Sequence, residues 1–143
     1  MKKILFLCTG NSCRSQMAEG WCNHLFSGRI QGFSAGVRAQ GLNPYAVTAM
    51  QEAGVNISDQ KSQLLDEFVD EQFDVVLTVC DNAAENCPVF MGAKKTIHYS
   101  FDDPPALASK EEQSIAKMSH YHRVRDEIRD YISQLGAQIL ESA

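Results

Sequence analysis

No apolar stretch in this 143-residue sequence approaches the roughly 20 residues that cross a bilayer, so no membrane-spanning segment is expected. Long basic runs are missing too. Lys and Arg number 13 against 18 Asp and Glu, a net charge of −5. That balance offers no electrostatic footprint for wrapping a nucleic acid or lying on an anionic membrane. Lys2 and Lys3 precede the apolar residues 4–7, but that core is too short for a secretory signal, and cytoplasmic residence is expected. The cysteines lack both the even count of a disulfide framework and the spacing of a zinc site. Cys8, Cys13 and Cys22 form one group and Cys80 and Cys87 another, with six residues between the last two. Zinc ligands come in pairs about two to four residues apart. No histidine stands at ligand spacing to Cys80 or Cys87, and His24, His98, His120 and His122 show no constellation, so no structural metal is expected. In a reducing compartment, cysteines so placed are catalytic or buried.

What is present reads as one domain, 1–143, with 44% apolar residues and no repeat, linker or low-complexity segment. Residues 2–8 form an unbroken apolar strand of the kind buried on both faces. A helix is expected over 13–26, with Met17, Trp21, Cys22, Leu25 and Phe26 on one stripe and Cys22 as a small core residue. A second strand spans 30–36 and ends in a loose stretch, 36–40. Asn43 and Pro44 open a helix that runs to Ala53 and stops at Gly54. A polar loop at 58–63 precedes a short helical piece at 64–69. Strands follow at 73–79 and 95–99, then a rigid Asp102-Asp103-Pro104-Pro105 turn. Ser109-Lys110-Glu111-Glu112 fits a capping box, and the last helix buries Tyr121, Val124, Ile128, Tyr131, Ile132, Leu135 and Ile139. Residues 106–119 are expected to be partly irregular. Strands alternating with helices predict an α/β three-layer domain, a four-stranded parallel sheet flanked by helices. Ligands of such sheets bind beyond the carboxyl ends of the strands, and Cys8, Cys80 and the Asp102–Asp103 pair all follow strands.

The chemistry concentrates in Cys8-Thr9-Gly10-Asn11-Ser12-Cys13-Arg14-Ser15, between the first strand and the first helix. Unpaired N–H groups at a helix start, with the macrodipole behind them, cradle an anion. Gly10 and Asn11 tolerate the positive φ that a curled loop needs. A helix N-terminus and a cation favour the Cys8 thiolate, Arg14 can fork two oxygens of a tetrahedral anion, and the Ser15 hydroxyl can donate to the sulfur. Cys13 is either an oxidation partner of Cys8 or a loop residue, and the second reading is preferred. Asp103, fixed by Pro104, suits a general acid better than Asp102, whose simpler role is a turn or cap. Cys80 and Cys87 would stand roughly 10.5 Å apart along a helix, beyond the ~7 Å between Cα atoms that a disulfide allows. They could bond only if the segment between them unwinds. Weak helix formers and Pro88 permit such a switch, and two unrelated buried cysteines are the alternative.

The octet and its continuation Gln16-Met17-Ala18-Glu19-Gly20-Trp21 resemble the start of a thioredoxin-coupled arsenate reductase of the low-molecular-weight protein tyrosine phosphatase superfamily. Cys80…Cys87-Pro88, Phe101-Asp102-Asp103-Pro104 and Arg123-Val124-Arg125-Asp126-Glu127-Ile128 extend the resemblance over nearly the whole chain. It implies that Cys8 attacks arsenate while Arg14 and the loop, Thr9 to Ser15, hold its oxygens and Asp103 assists loss of water. It also implies that Cys80 resolves the adduct, that Cys87 then forms the Cys80–Cys87 redox disulfide, and that thioredoxin reduces it. No tightly bound cofactor is implied. Some members hold potassium with residues matching Asn11, Glu19 and Ser34 plus a Thr and an Asp. This chain has Lys61 and Gln63 at the last two positions, so a potassium requirement is not expected, and a lysine ammonium near Glu19 could take the cation's place. The stretch 106–119 is longer than is usual in the family.

Two other readings belong to different classes. In a low-molecular-weight phosphatase, a Cys8 phosphocysteine would be hydrolysed with Asp103 as acid and base, leaving Cys80 and Cys87 idle and Pro105 where an aromatic residue is common. A phosphocarrier or oxyanion-binding module would have no use for Arg14 as a stabiliser of turnover. The arsenate reductase reading is preferred, with a weak phosphatase side activity compatible with it, a monomer expected, and glutaredoxin the alternative to thioredoxin as reductant.

Overall fold

The computed structural model describes residues 1–80 and 90–141. β1 (Lys2–Cys8) lies between β2 (Ile30–Gly36) and β3 (Phe73–Thr78), with β4 (Ala93–His98) beyond β3. All neighbours run parallel, in the registers Lys2↔Ile30 to Cys8↔Gly36, Ile4↔Val75 and Val75↔Lys95. From Ile4 onward the central strand is apolar because its two faces enter two cores. Ile4, Phe6 and Cys8 face the larger one, and Leu5 and Leu7 face the other.

The larger core is roofed by α1 (Arg14–Leu25), α2 (Pro44–Glu52) and α4 (Ser114–Glu141). Met17, Trp21 and Cys22 of α1 meet Tyr121, Val124, Ile128, Ile132, Leu135 and Ile139 of α4 in that core. Cys22 is fully buried, with its thiol against the Gly32 backbone, the packing role expected for it. Among the described residues the opposite face is covered by the 3-10 turn Leu65–Phe68, where Phe33, Phe68, Phe73 and Phe90 meet edge to face.

Three expectations are corrected. Pro104 and Pro105 do not finish a turn; they open a short helix, α3 (Pro104–Ala108), with Asp103 extended at its cap as expected of a residue before proline. Proline lacks the N–H that the first helical turn leaves unpaired, so it fits there. The Ser109-Lys110-Glu111-Glu112 pattern does not start α4, which begins at Ser114. The Ser109 hydroxyl turns back to the Ala106 carbonyl at 2.7 Å, closing α3 instead. Residues 36–40 are not loose: Arg38 N, Gln40 N and Asn43 N donate to the carbonyls of Thr9, Gly10 and Ser12 at 3.1, 3.0 and 2.9 Å. A segment zipped to the neighbouring loop in this way has no signature in its own residues. Asn43 behaves as expected, its side-chain oxygen capping α2 through Tyr45 N and Ala46 N.

Candidate active site

β1 ends at Cys8, and the chain curls through 9–13 before α1 begins at Arg14, on the carboxyl edge of the sheet. Asn11 takes the left-handed conformation at φ 48°, but Gly10, expected to share it, does not; the other positive-φ residues described are Gly28, Gly41 and Gly54. Its carbonyl is held by Ser62 Oγ at 2.8 Å and Gln16 Nε2 at 3.1 Å. Gly36 backs the loop so closely that a Cβ there would stand 2.6–2.9 Å from the carbonyls of Thr9, Cys8 and Arg38.

A cleft of about 620 Å³ opens over this loop, lined by Cys8, Thr9, Gly10, Ser12, Cys13 and Arg14 from one side and Asp103 and Pro105 from another. The Cys8 sulfur is buried at its floor, 2.9 Å from Ser15 Oγ, which also accepts from Asn11 Nδ2 at 2.9 Å. The Arg14 guanidinium is buried as well. Its Nη1 donates to the carbonyls of Phe101 at 3.2 Å and Val79 at 3.4 Å, and its Nε stands 3.6 Å from Asp103 Oδ1. Two strand ends thus hold the cation in place and turn it toward the loop. Cys13 is buried, and burial, with Asp103 and Cys8 beside it, pushes its thiol well above the usual range. A thiol kept protonated there is a poor nucleophile, in keeping with the preferred loop role.

The sheet also brings Cys80 to this edge. Its buried thiol lies 3.9 Å from the carbonyl of Leu7, the residue before Cys8. Cys87 and the segment 81–86, in which a redox switch was expected, lie outside the described residues. Asp102 points away from the cleft, exposed and paired with Arg123 Nη2 at 3.0 Å. Of the histidines, His98 links the Thr78 and Ser100 hydroxyls at 2.6 and 2.9 Å, while His120 and His122 face Glu111 and Glu52.

The residues matching a potassium site do not fit a cation. Gln16 Nε2 donates to Asn11 Oδ1, Asn11 O and Lys61 O at 3.1, 3.1 and 2.9 Å, so an amide already sits where these oxygens converge. Gln63 N also takes Asn11 Oδ1. Glu19 accepts from Ser34 Oγ at 2.6 Å, and burial pushes its carboxyl up to about 7, the response of an acid without a partner cation. The Lys61 side chain is exposed, and no ion pair joins it to Glu19 among the described residues. Sequence reasoning missed the roles of Gln16, which entered only as part of the resemblance, and of Gln60 and Ser62, whose polar side chains carry no motif. The one available signal was three amide or hydroxyl residues, Gln60, Ser62 and Gln63, in a loop expected to be polar.

A parallel α/β domain with a cysteine-floored anion loop at its carboxyl edge is the class defined by this fold and site. The chain belongs to the low molecular weight phosphotyrosine protein phosphatase family, which matches residues 3–143. Within that family it is similar to arsenate reductases. The arsenate reductase of Bacillus licheniformis is 47% identical over 133 residues, covering 93% of this chain and 94% of the relative. That of Shouchella clausii is 49% identical over 128 residues, 89% of each. Among solved structures, an arsenate reductase in its phosphate-binding state superimposes with a TM-score of 0.81 at 32% identity, covering 97% of this chain and 99% of the other.

Proposed function

We propose that this chain reduces arsenate to arsenite through a relay of three cysteines. Cys8 attacks arsenic while Arg14 and the loop amides hold the oxygens, and Asp103 supplies the proton on which water leaves. The Cys80 thiolate then attacks Cys8 Sγ. A disulfide forms, the sulfur–arsenic bond breaks, and its electron pair stays on arsenic, which departs as arsenite. Cys87 attacks Cys80, releases the Cys8 thiolate and leaves a Cys80–Cys87 disulfide for thioredoxin to reduce by exchange. The relay works in the cytoplasm, on a single chain, without a tightly bound cofactor.

One observation carries this reading. A second buried thiol, Cys80, stands at the same sheet edge as the cleft, beside the carbonyl that precedes Cys8. A phosphatase needs the loop, Arg14 and Asp103 but has no work for that thiol. Kinship supports the choice, and thioredoxin as reductant is supported by likeness to a thioredoxin-dependent arsenate reductase of Corynebacterium glutamicum. That structure has a TM-score of 0.74 at 26% identity over all of this chain and 64% of the other.

The test is a single-turnover reaction with arsenate, followed by alkylation and mass spectrometry. Wild type should yield the Cys80–Cys87 disulfide, Cys87→Ser the Cys8–Cys80 disulfide, and Cys8→Ser neither. With thioredoxin, thioredoxin reductase and NADPH, all three cysteines should be needed for repeated turnover. Full turnover by Cys87→Ser would overturn the relay. Turnover with glutaredoxin and a small thiol, but not with thioredoxin, would overturn the partner alone.

A further inference from the structure

Gln60 lies outside the oxyanion loop, 44 residues from Gln16, yet an unbroken series of hydrogen bonds joins its amide to the Cys8 sulfur. Gln60 Nε2 donates to Gln16 Oε1 at 2.8 Å and to the Gln16 carbonyl at 3.0 Å. That fixes which way the Gln16 amide faces. Its –NH2 is then the end presented to Asn11 O, Asn11 Oδ1 and Lys61 O. Three carbonyl oxygens around one point repel one another unless something positive sits between them, and the two amide hydrogens fill that place. With Asn11 Oδ1 taken by Gln16 and by Gln63 N, Asn11 must turn Nδ2 toward Ser15 Oγ. The Ser15 oxygen accepts that N–H, leaving its own proton for the sulfur 2.9 Å away. A hydrogen bond given to a thiolate favours the charged form.

We propose that Gln60 is a positioning residue for the Cys8 thiolate, acting through Gln16, Asn11 and Ser15, and that this chain of neutral amides orders the loop without a monovalent cation. The proposal rests on the reading of Cys8 as nucleophile. It also accounts for the left-handed Asn11, whose carbonyl is pinned by two donors, one of them the amide that Gln60 orients. Removing the Gln60 donor frees Gln16 to rotate. Asn11 Oδ1 then rests on Gln63 N without the Gln16 amide, and the Asn11 Nδ2–Ser15 Oγ contact that aims the hydroxyl at the sulfur is loosened.

The test follows iodoacetamide alkylation of Cys8 in the full-length reduced protein across pH, with the modified residue located by mass spectrometry. Gln60→Met keeps the length and removes the donor. Its alkylation midpoint should rise by about one pH unit, with a roughly tenfold slower rate on the acid side. Gln60→His, which retains an N–H donor, should recover most of the shift. A Gln60→Met midpoint equal to that of wild type overturns the proposal, whatever happens to stability or turnover.

A second measurement needs no variant. Replacing potassium chloride by choline chloride at equal ionic strength should leave the wild-type midpoint and melting temperature unchanged. A potassium-specific shift in either would mean that the carbonyls hold a cation and would overturn the amide reading. The alkylation readout does not involve arsenate. A Cys8→Ser enzyme that still turned over would sink the proposed function and leave the Gln60 result standing.

Discussion

Arg14 Nη1 donates to the Phe101 carbonyl at 3.2 Å, joining residues 87 apart in sequence. A buried guanidinium anchored on protein carbonyls has its plane already oriented before an oxyanion arrives. Lysine has the charge but neither the plane nor the number of donors. Arg14→Lys should therefore lower kcat/KM for arsenate about a hundredfold, roughly 3 kcal/mol of transition-state binding. Steady-state kinetics check this, with circular dichroism confirming that the variant folds.

The two aspartates after β4 should separate cleanly. Asp103 faces Arg14 in the cleft, whereas Asp102 pairs with Arg123 on the surface. Asp103→Asn should slow arsenate turnover by about a hundredfold, the low end for loss of a general acid. Asp102→Asn removes an exposed ion pair worth about 0–1 kcal/mol and should leave turnover unchanged. Equal losses in both variants would mean that the turn acts as a structural unit rather than through Asp103.

Gly36 and Gly10 both border the loop, and alanine should affect them differently. At Gly36 a Cβ meets three backbone carbonyls at 2.6–2.9 Å, none of which can move without disturbing β1 or the loop. Gly36→Ala should cost about 2 kcal/mol or more in denaturant unfolding. At Gly10 the contacts are to the flexible Gln40 side chain, which can swing aside into solvent. Gly10→Ala should cost under about 1 kcal/mol of stability.

Glu19 should give the fold a pH dependence of defined sign. Burial raises its carboxyl from 4.5 to about 7 in the folded protein, with the Ser34 hydrogen bond opposing. Between those values the folded state keeps a proton that the unfolded state has released. Its contribution is thus complete below 4.5 and is lost as pH rises through 7. Glu19→Gln removes the titration. The melting temperature of this variant relative to wild type should climb by a few degrees across that window and then level off. A flat difference would show that Glu19 is not protonated in the fold.

The two inner strands were legible because each carries a short apolar run, a pattern that follows from burial alone. Expected and observed bounds for β1 and β2 coincide, β3 ends one residue early, and the exposed edge strand β4 begins two residues before the expected 95 and ends one before 99. The helix starts were less legible. Asn43-Pro44 worked because the cap and the proline are local. Ser109-Lys110-Glu111-Glu112 carries an equally local signal, but the chain uses Ser109 to end α3, and α4 begins at Ser114.

By itself the sequence determined where the anion loop lies and which residues in it carry charge or nucleophilicity, because a strand, a small-residue loop and a helix start are contiguous. Tertiary structure alone decided what holds that loop in shape. Gly36, Gln60, Ser62 and the carbonyls of Val79 and Phe101 come from four separate stretches of chain. Their roles depend on hydrogen bonds that reach only about 3 Å, and nothing in a linear sequence records which distant groups come that close.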